Sequence, residues 1–244
     1  MKLIKTLLTI LFISLLSSPS WSQTLDDLVQ REGIYYQKFT EVPFTGKVTG
    51  DVHGSFKNGQ KQGAWAAYSD NGQLKSKENW KNGKLNGAWV EYHENGQLAW
   101  KGNYKDGKLK GTLVGYWDNG QLESEEKYKN GELDGPSFYY SENGQLVDQE
   151  NHKNDIAEGA WVSYYENGQL WTEKNFKNGK LKGARITHYE NGQLKWKGNY
   201  EDDKKEGAWV AYYESGQLEG KGNYEDDKLE GAWVAYYENG QLKA

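Results

Sequence analysis

A glycine recurs every 24 residues, at Gly63, Gly87, Gly111, Gly135, Gly159, Gly183, Gly207 and Gly231, with no insertion or deletion between them. Spacing this regular means one supersecondary element per period, each stacked on its neighbours. A representative unit is GAWVEYHENGQLAWKGNYKDGKLK, Gly87 to Lys110. The periodicity divides residues 48–244 into a half unit at 48–62, seven full units at 63–230 and a partial unit at 231–244.

The unit reads as a β-hairpin. Each carries Asn-Gly-Gln-Leu, as at Asn95 to Leu98, with Ser215 standing once for Asn. Asn-Gly is the strongest short hairpin signal, because both residues can take positive φ. A second turn follows eleven residues on. It is Asn-Gly or Asp-Gly at 82–83, 106–107, 130–131 and 178–179, but Asn154-Asp155, Asp202-Asp203 and Asp226-Asp227 in the other units. Asp tolerates positive φ less well than Gly, so those three turns are expected to be looser or of another type. Two turns per period leave a shorter and a longer strand, and the opening Gly lies inside the longer one as a bulge or bend. In the shorter strand Leu98, Trp100, Gly102 and Tyr104 alternate with Ala99, Lys101 and Asn103, which predicts one buried and one wet face. The longer strand is aromatic on both parities, at Trp89 and Tyr92, and leaves its inward side open. The fold class that follows is all-β, an elongated antiparallel single-sheet array of 24-residue hairpins.

Residues 1–22, MKLIKTLLTILFISLLSSPSWS, have the layout of a signal peptide: Lys2 and Lys5, an apolar run from Leu7 to Leu16, and Ser20-Trp21-Ser22 before Gln23. The run is too short to span a bilayer, and no Cys offers a lipid anchor. The expected location is periplasmic or secreted. Removing the leader takes the formal charge from −5 to −7. Residues 23–47 do not fit the repeat and are expected to cap its first edge.

Composition narrows the function. With 35 aromatic residues the chain is no disordered tail. Absence of Cys excludes thiolate catalysis and Cys-ligated metals. The negative charge and two Arg argue against nucleic acid as a partner. His53, His93, His152 and His188 occupy different positions of the repeat with no ligand spacing. No catalytic triad order, phosphate loop or calcium loop stands out, so neither cofactor nor metal is expected.

The unit G-x-W-x-x-Y-x-E-N-G-Q-L followed by K-G-N-Y-K-D-G-K-L resembles the bacterial variant of the MORN repeat, over about residues 44 to 244, and chains of this kind are often filed under a YwqK-type antitoxin family. The Pro43-Phe44-Thr45-Gly46 lead-in resembles that family's entry segment. The resemblance implies a hairpin array used for protein or lipid contacts and carries no catalytic residues.

The chain therefore reads as a non-enzymatic exported scaffold whose partner is an unknown protein or envelope polymer. No segment after the leader could cross a membrane, and peripheral membrane contact stays open. Two alternatives stand beside it: a cell-wall or carbohydrate-binding module, and an antitoxin-like protein that neutralises a partner. Candidate binding residues are the Trp outside the repeating Trp position, Trp100, Trp117, Trp171 and Trp196. Trp100 and Trp196 each stand two residues before a Gly and could form a flat platform. A row of acids, from Asp70 and Glu94 to Glu238, precedes the Asn-Gly turns and would line one margin of the sheet. The last long strand, with Trp233, Tyr236 and Tyr237, is a candidate edge for self-association as a two-fold homodimer.

Overall fold

The computed structural model describes residues 23–243; the expected leader, 1–22, lies outside them. The described chain contains no α-helix, only a single 3-10 turn at Leu25–Asp27. A sheet of 21 strands runs from Gly46–Val48 to Lys228–Ala235 by antiparallel pairing of sequence neighbours. No pairing joins those two ends, so the sheet is open. A separate hairpin, Leu28–Arg31 with Ile34–Gln37, precedes it. Its Leu28 packs with Val48, Phe56 and Trp65, the one fully buried apolar cluster of the described residues. The rest is a single layer, and most of its side chains are half-buried rather than enclosed.

The two turns of the unit differ in kind. At Asn82-Gly83 both residues have positive φ, 50° and 73°, as a two-residue hairpin turn that follows the strand twist requires. The Asn-Gly-Gln-Leu turns correct the sequence reading. At Asn95-Gly96 only Gly96 has positive φ, 87°. The N–H of Gly96 donates to the His93 carbonyl and that of His93 to the Gln97 carbonyl, which makes a three-residue loop closed by a left-handed Gly.

The turns with Asp in place of Gly are a second correction. They are neither looser nor of another type, since Asn154-Asp155, Asp202-Asp203 and Asp226-Asp227 keep φ of 49–51° and 64–71°. The cost of positive φ is offset by a bond that Gly cannot make. Asp155, Asp203 and Asp227 each accept, through Oδ1, the backbone N–H of Leu133, Leu181 and Lys205 in the preceding unit, at 2.7–2.8 Å. In return their own N–H groups donate to the carbonyls of those same residues.

Two irregularities set the faces. The opening Gly has positive φ in every unit, and around Gly207 the register jumps from Lys197↔Val210 to Asn199↔Glu206, so three residues oppose the single Gly198. This is the bulge that absorbs the longer strand's excess. A smaller bulge lies in the shorter strand, where Glu91 pairs with Trp100 and Tyr92 with Leu98, leaving Ala99 unpaired. It corrects the predicted alternation: Leu98 stands opposite Tyr92, on the other face from Trp100, Gly102 and Tyr104. The inward question is also answered. Trp89 shares its face with Tyr104, their rings 6.1 Å apart, while Ala88, Val90 and Tyr92 belong to the opposite one.

Candidate binding face

The aromatic face is built by the large bulge, which lays Trp65, Trp209 and Trp233 across the residue eleven positions earlier. Trp65 and Trp209 lie on Gly54 and Gly198 so closely that a Cβ there would collide with the indole. Both indoles are buried, at 3 % and 7 % exposure. The rings form a ribbon across the strands, with Tyr200–Trp209 at 5.3 Å, Trp209–Tyr224 at 5.9 Å and Tyr224–Trp233 at 6.4 Å. Lysines thread this ribbon. Lys61 lies over Trp65 and Trp80 at 4.4 and 4.5 Å, and Lys205 over Trp209 and Tyr224 at 4.7 and 4.9 Å. Burial pulls the Lys61 ammonium below the ordinary lysine range.

The middle of this face departs from the pattern. The position that is Gly at 54, 102, 198 and 222 is Glu at 78, 126 and 150 and Lys at 174, and only between Glu126 and Glu150 is the intervening Trp replaced by a small residue, Ser137. Ser137 is directly opposite both Glu126 and Glu150, fully buried, and its hydroxyl has no partner. Tyr139 and Asp148 form the adjacent cross-strand pair. The Tyr128 hydroxyl donates to Glu126 Oε2 at 2.7 Å, and His152 Nε2 stands 3.8 Å from Glu150. Burial, with the Glu126 and Glu150 carboxylates beside it, pushes the Tyr139 hydroxyl up to about 12. Burial and the bond to Glu126 push Tyr128 higher still, and burial raises the Glu150 carboxyl above the ordinary 4.5. Single-motif reading passed over this patch because no residue in it is unusual by itself. Comparison of equivalent positions between units is the signal that finds it.

The four predicted Trp do not converge. Trp100 covers Gly115, where an added Cβ would meet its ring at 2.7 Å. Trp196 lies between the Arg185 guanidinium, 4.9 Å from its centroid, and the stacked ring of Trp209 at 5.3 Å. Trp117 donates its Nε1–H to the Tyr140 carbonyl at 3.0 Å. Trp171 alone is open, 45 % exposed beside Tyr165. At the last strand Trp233 and Tyr237 are exposed. Tyr236 bridges to Leu242 and the Lys243 N–H donates to the Ala235 carbonyl, so the following segment folds back on this edge.

Trp117 belongs to a ladder along the Asn-Gly-Gln-Leu margin. The hydroxyls of Tyr165, Tyr189 and Tyr213 donate to the carbonyls of His188, Tyr212 and Tyr236 in the next unit, at 2.8–2.9 Å. His93 Nε2 lies 2.7 Å from the Tyr116 carbonyl oxygen, which requires the proton on that nitrogen. A second rail is made by Asn95, Asn119, Asn167 and Asn191, whose Nδ2 groups donate to the backbone of Asp118, Glu142, Glu190 and Glu214. Ser69 and Ser141 interrupt both rails, since each bonds its own turn Asn instead. The acidic side chains of this margin are exposed, and none forms an ion pair among the described residues.

No curated protein matches the chain. Among solved structures it is similar to a crystal structure of TcdB2-TccC3-Cdc42, with 14 % identity over 79 % of this chain and 13 % of that one and a TM-score of 0.20. It is also similar to a Photorhabdus luminescens Tc holotoxin pore, with 13 % identity over 84 % and 14 % and a TM-score of 0.18. The chain thus spans about one eighth to one seventh of those chains, and likeness at these TM-scores carries no argument. The family model described as MORN repeat variant matches residues 61–82, 85–106, 109–130, 133–154, 157–178, 181–202, 205–226 and 229–244. These matches follow the hairpins one for one, and the chain belongs to the MORN repeat variant family.

Proposed function

We propose that the protein is an exported, non-enzymatic scaffold that binds another protein across the faces of its sheet. The observation that carries this reading is the single open layer: nothing in the described chain covers either face beyond the first unit. On the Ala and Val side, a groove of about 600 Å³ is lined by Ala184, Ile186, Ala208, Val210, Ala232 and Val234. Exposed apolar surface of this kind is a recognised mark of a protein-binding site. Export is supported by the layout of residues 1–22, and cleavage before Gln23 would release the scaffold. The antitoxin-like reading is a special case, in which the partner is a toxic protein. Carbohydrate binding rests on Trp171, the one open Trp of the four.

Cell fractionation with intact-mass analysis tests export: a mature chain beginning at Gln23 outside the cytoplasm is expected, and an uncleaved cytoplasmic chain contradicts it. Immobilised mature protein should retain a protein from envelope extract, and this retention should fall when Val210 is replaced by Glu. Retention of glycans alone would favour the carbohydrate reading.

A further inference from the structure

The aromatic face supplies its own cations at both ends, Lys61 over Trp65 and Trp80, and Lys205 over Trp209 and Tyr224. Toward the middle, Lys174 lies over Trp161 and Phe176 at 5.1 and 5.5 Å; its charge reaches Glu150 and Asp148 but it forms an ion pair with neither. Glu126, Asp148 and Glu150 project from two strands, Leu122–Lys129 and Leu146–Lys153, onto one face across the intervening strand Glu132–Tyr140. Among the described residues none of these three carboxylates pairs with a lysine or arginine. No lysine or arginine lies over the rings of Tyr128 or Tyr139 either. Between Glu126 and Glu150 lies the buried Ser137 hydroxyl, which also lacks a partner. Two carboxylates flanking a free acceptor, with an aromatic wall beside them, complement a group that carries positive charge and several N–H donors. The acids do not converge closely enough to form a set that would hold a metal ion. The complement is therefore an organic cation.

We propose that this patch receives a lysine or arginine side chain from a basic segment of a partner protein, its charged nitrogen between Glu126 and Glu150 above Ser137 and against Tyr139. The proposal rests on the scaffold reading and names the chemistry of the partner. Two strand spacings, about 9.6 Å, separate the backbones of Glu126 and Glu150, and their side chains can lean inward to bracket one such nitrogen. Asp148, in the next row, adds a third negative charge on the side of Tyr139.

The test is calorimetric titration of the mature protein with blocked tetralysine peptide at low salt, beside the same peptide acetylated on every side chain. The wild type should bind the first and not the second. The variant Glu126→Gln/Asp148→Asn/Glu150→Gln should bind at least tenfold more weakly. A margin variant with the same charge change, Glu94→Gln/Asp118→Asn/Glu142→Gln, should stay within about twofold, because exposed charges on the turns are screened. Circular dichroism establishes that each variant is folded, and Glu150→Gln alone, expected to weaken binding about threefold, serves if the triple variant is not. Equal weakening by face and margin variants, or no binding by the wild type, overturns the proposal. Either result leaves the scaffold reading standing if the immobilised protein still retains a partner from extract.

Discussion

Individual residues in this array are set by backbone sign and by what lies one unit away. Gly120 has φ of 84°, and a Cβ on it would meet Gln97 Oε1 at 2.5 Å. Gly120→Val should therefore cost about 1–3 kcal/mol, and each kcal/mol lowers the melting temperature by roughly 2–4 °C in a chain of this size. Glu123→Val should be close to neutral, because Glu123 occupies the bulge position at which Val147 already stands in the next unit. Thermal melts of the two variants decide it, and equal melting temperatures would contradict the turn geometry. Asp203 gives a finer test. It holds φ of 71° while accepting the Leu181 N–H at 2.7–2.8 Å alongside its two counterparts. Asp203→Ala keeps the unfavourable φ and loses the acceptor, so a loss of about 1–3 kcal/mol is expected in urea unfolding. Asp203→Asn retains an acceptor and a residue that tolerates left-handed backbone, so it should stay within about 0.5 kcal/mol. Positive φ at both residues of Asn82-Gly83 and its equivalents was legible in the sequence, whereas in the Asn-Gly-Gln-Leu turns only the Gly takes it. The Asp turns were not legible, since the compensating bond comes from a residue 22 positions earlier.

At the level of the hairpin, adjacent units are tied along one margin by tyrosine hydroxyls and turn asparagines, and both rails are missing at Ser69 and Ser141. Tyr189→Phe removes the donor to the Tyr212 carbonyl and should cost about 1 kcal/mol. Ser141→Tyr places a hydroxyl at a position equivalent to Tyr165 and should raise stability by about 0.5–1.5 kcal/mol. Urea melts check both, and a destabilised Ser141→Tyr would show that the ladder is incidental to stability. The hairpins, their two turns and the bulge at the opening Gly were readable because Asn-Gly and Gly mark them. The second bulge was not: its position is filled by Lys75, Ala99, Glu123, Val147, Trp171, Lys195 and Glu219, with no turn residue among them. A period-two reading that crosses an unmarked bulge goes out of phase, which is why Leu98 falls on the face opposite Trp100. The acidic patch was hidden for a different reason. Glu126, Ser137 and Glu150 are ordinary residues in sequence and become neighbours only through the register of three strands.

For the whole molecule, the pairing of each strand with its sequence neighbours makes the array quasi-one-dimensional. Only the first unit has an enclosed core, where Leu28 and its hairpin lie against Phe56 and Trp65. Elsewhere stability is a sum of turns, ring contacts and rails between adjacent units, and the length of the sheet is not fixed by closure. Deleting residues 159–182 tests this most directly. The cut joins Glu158 to Gly183, which occupies the position of Gly159, and so removes one unit while preserving the phase of the rest. An open array predicts that the shortened mature protein still folds, with a cooperative melt within a few degrees of the parent and an unchanged far-ultraviolet dichroism per residue. A chain that is unfolded or aggregated after this deletion would mean that distant units depend on one another, and would contradict an open sheet held by neighbours alone.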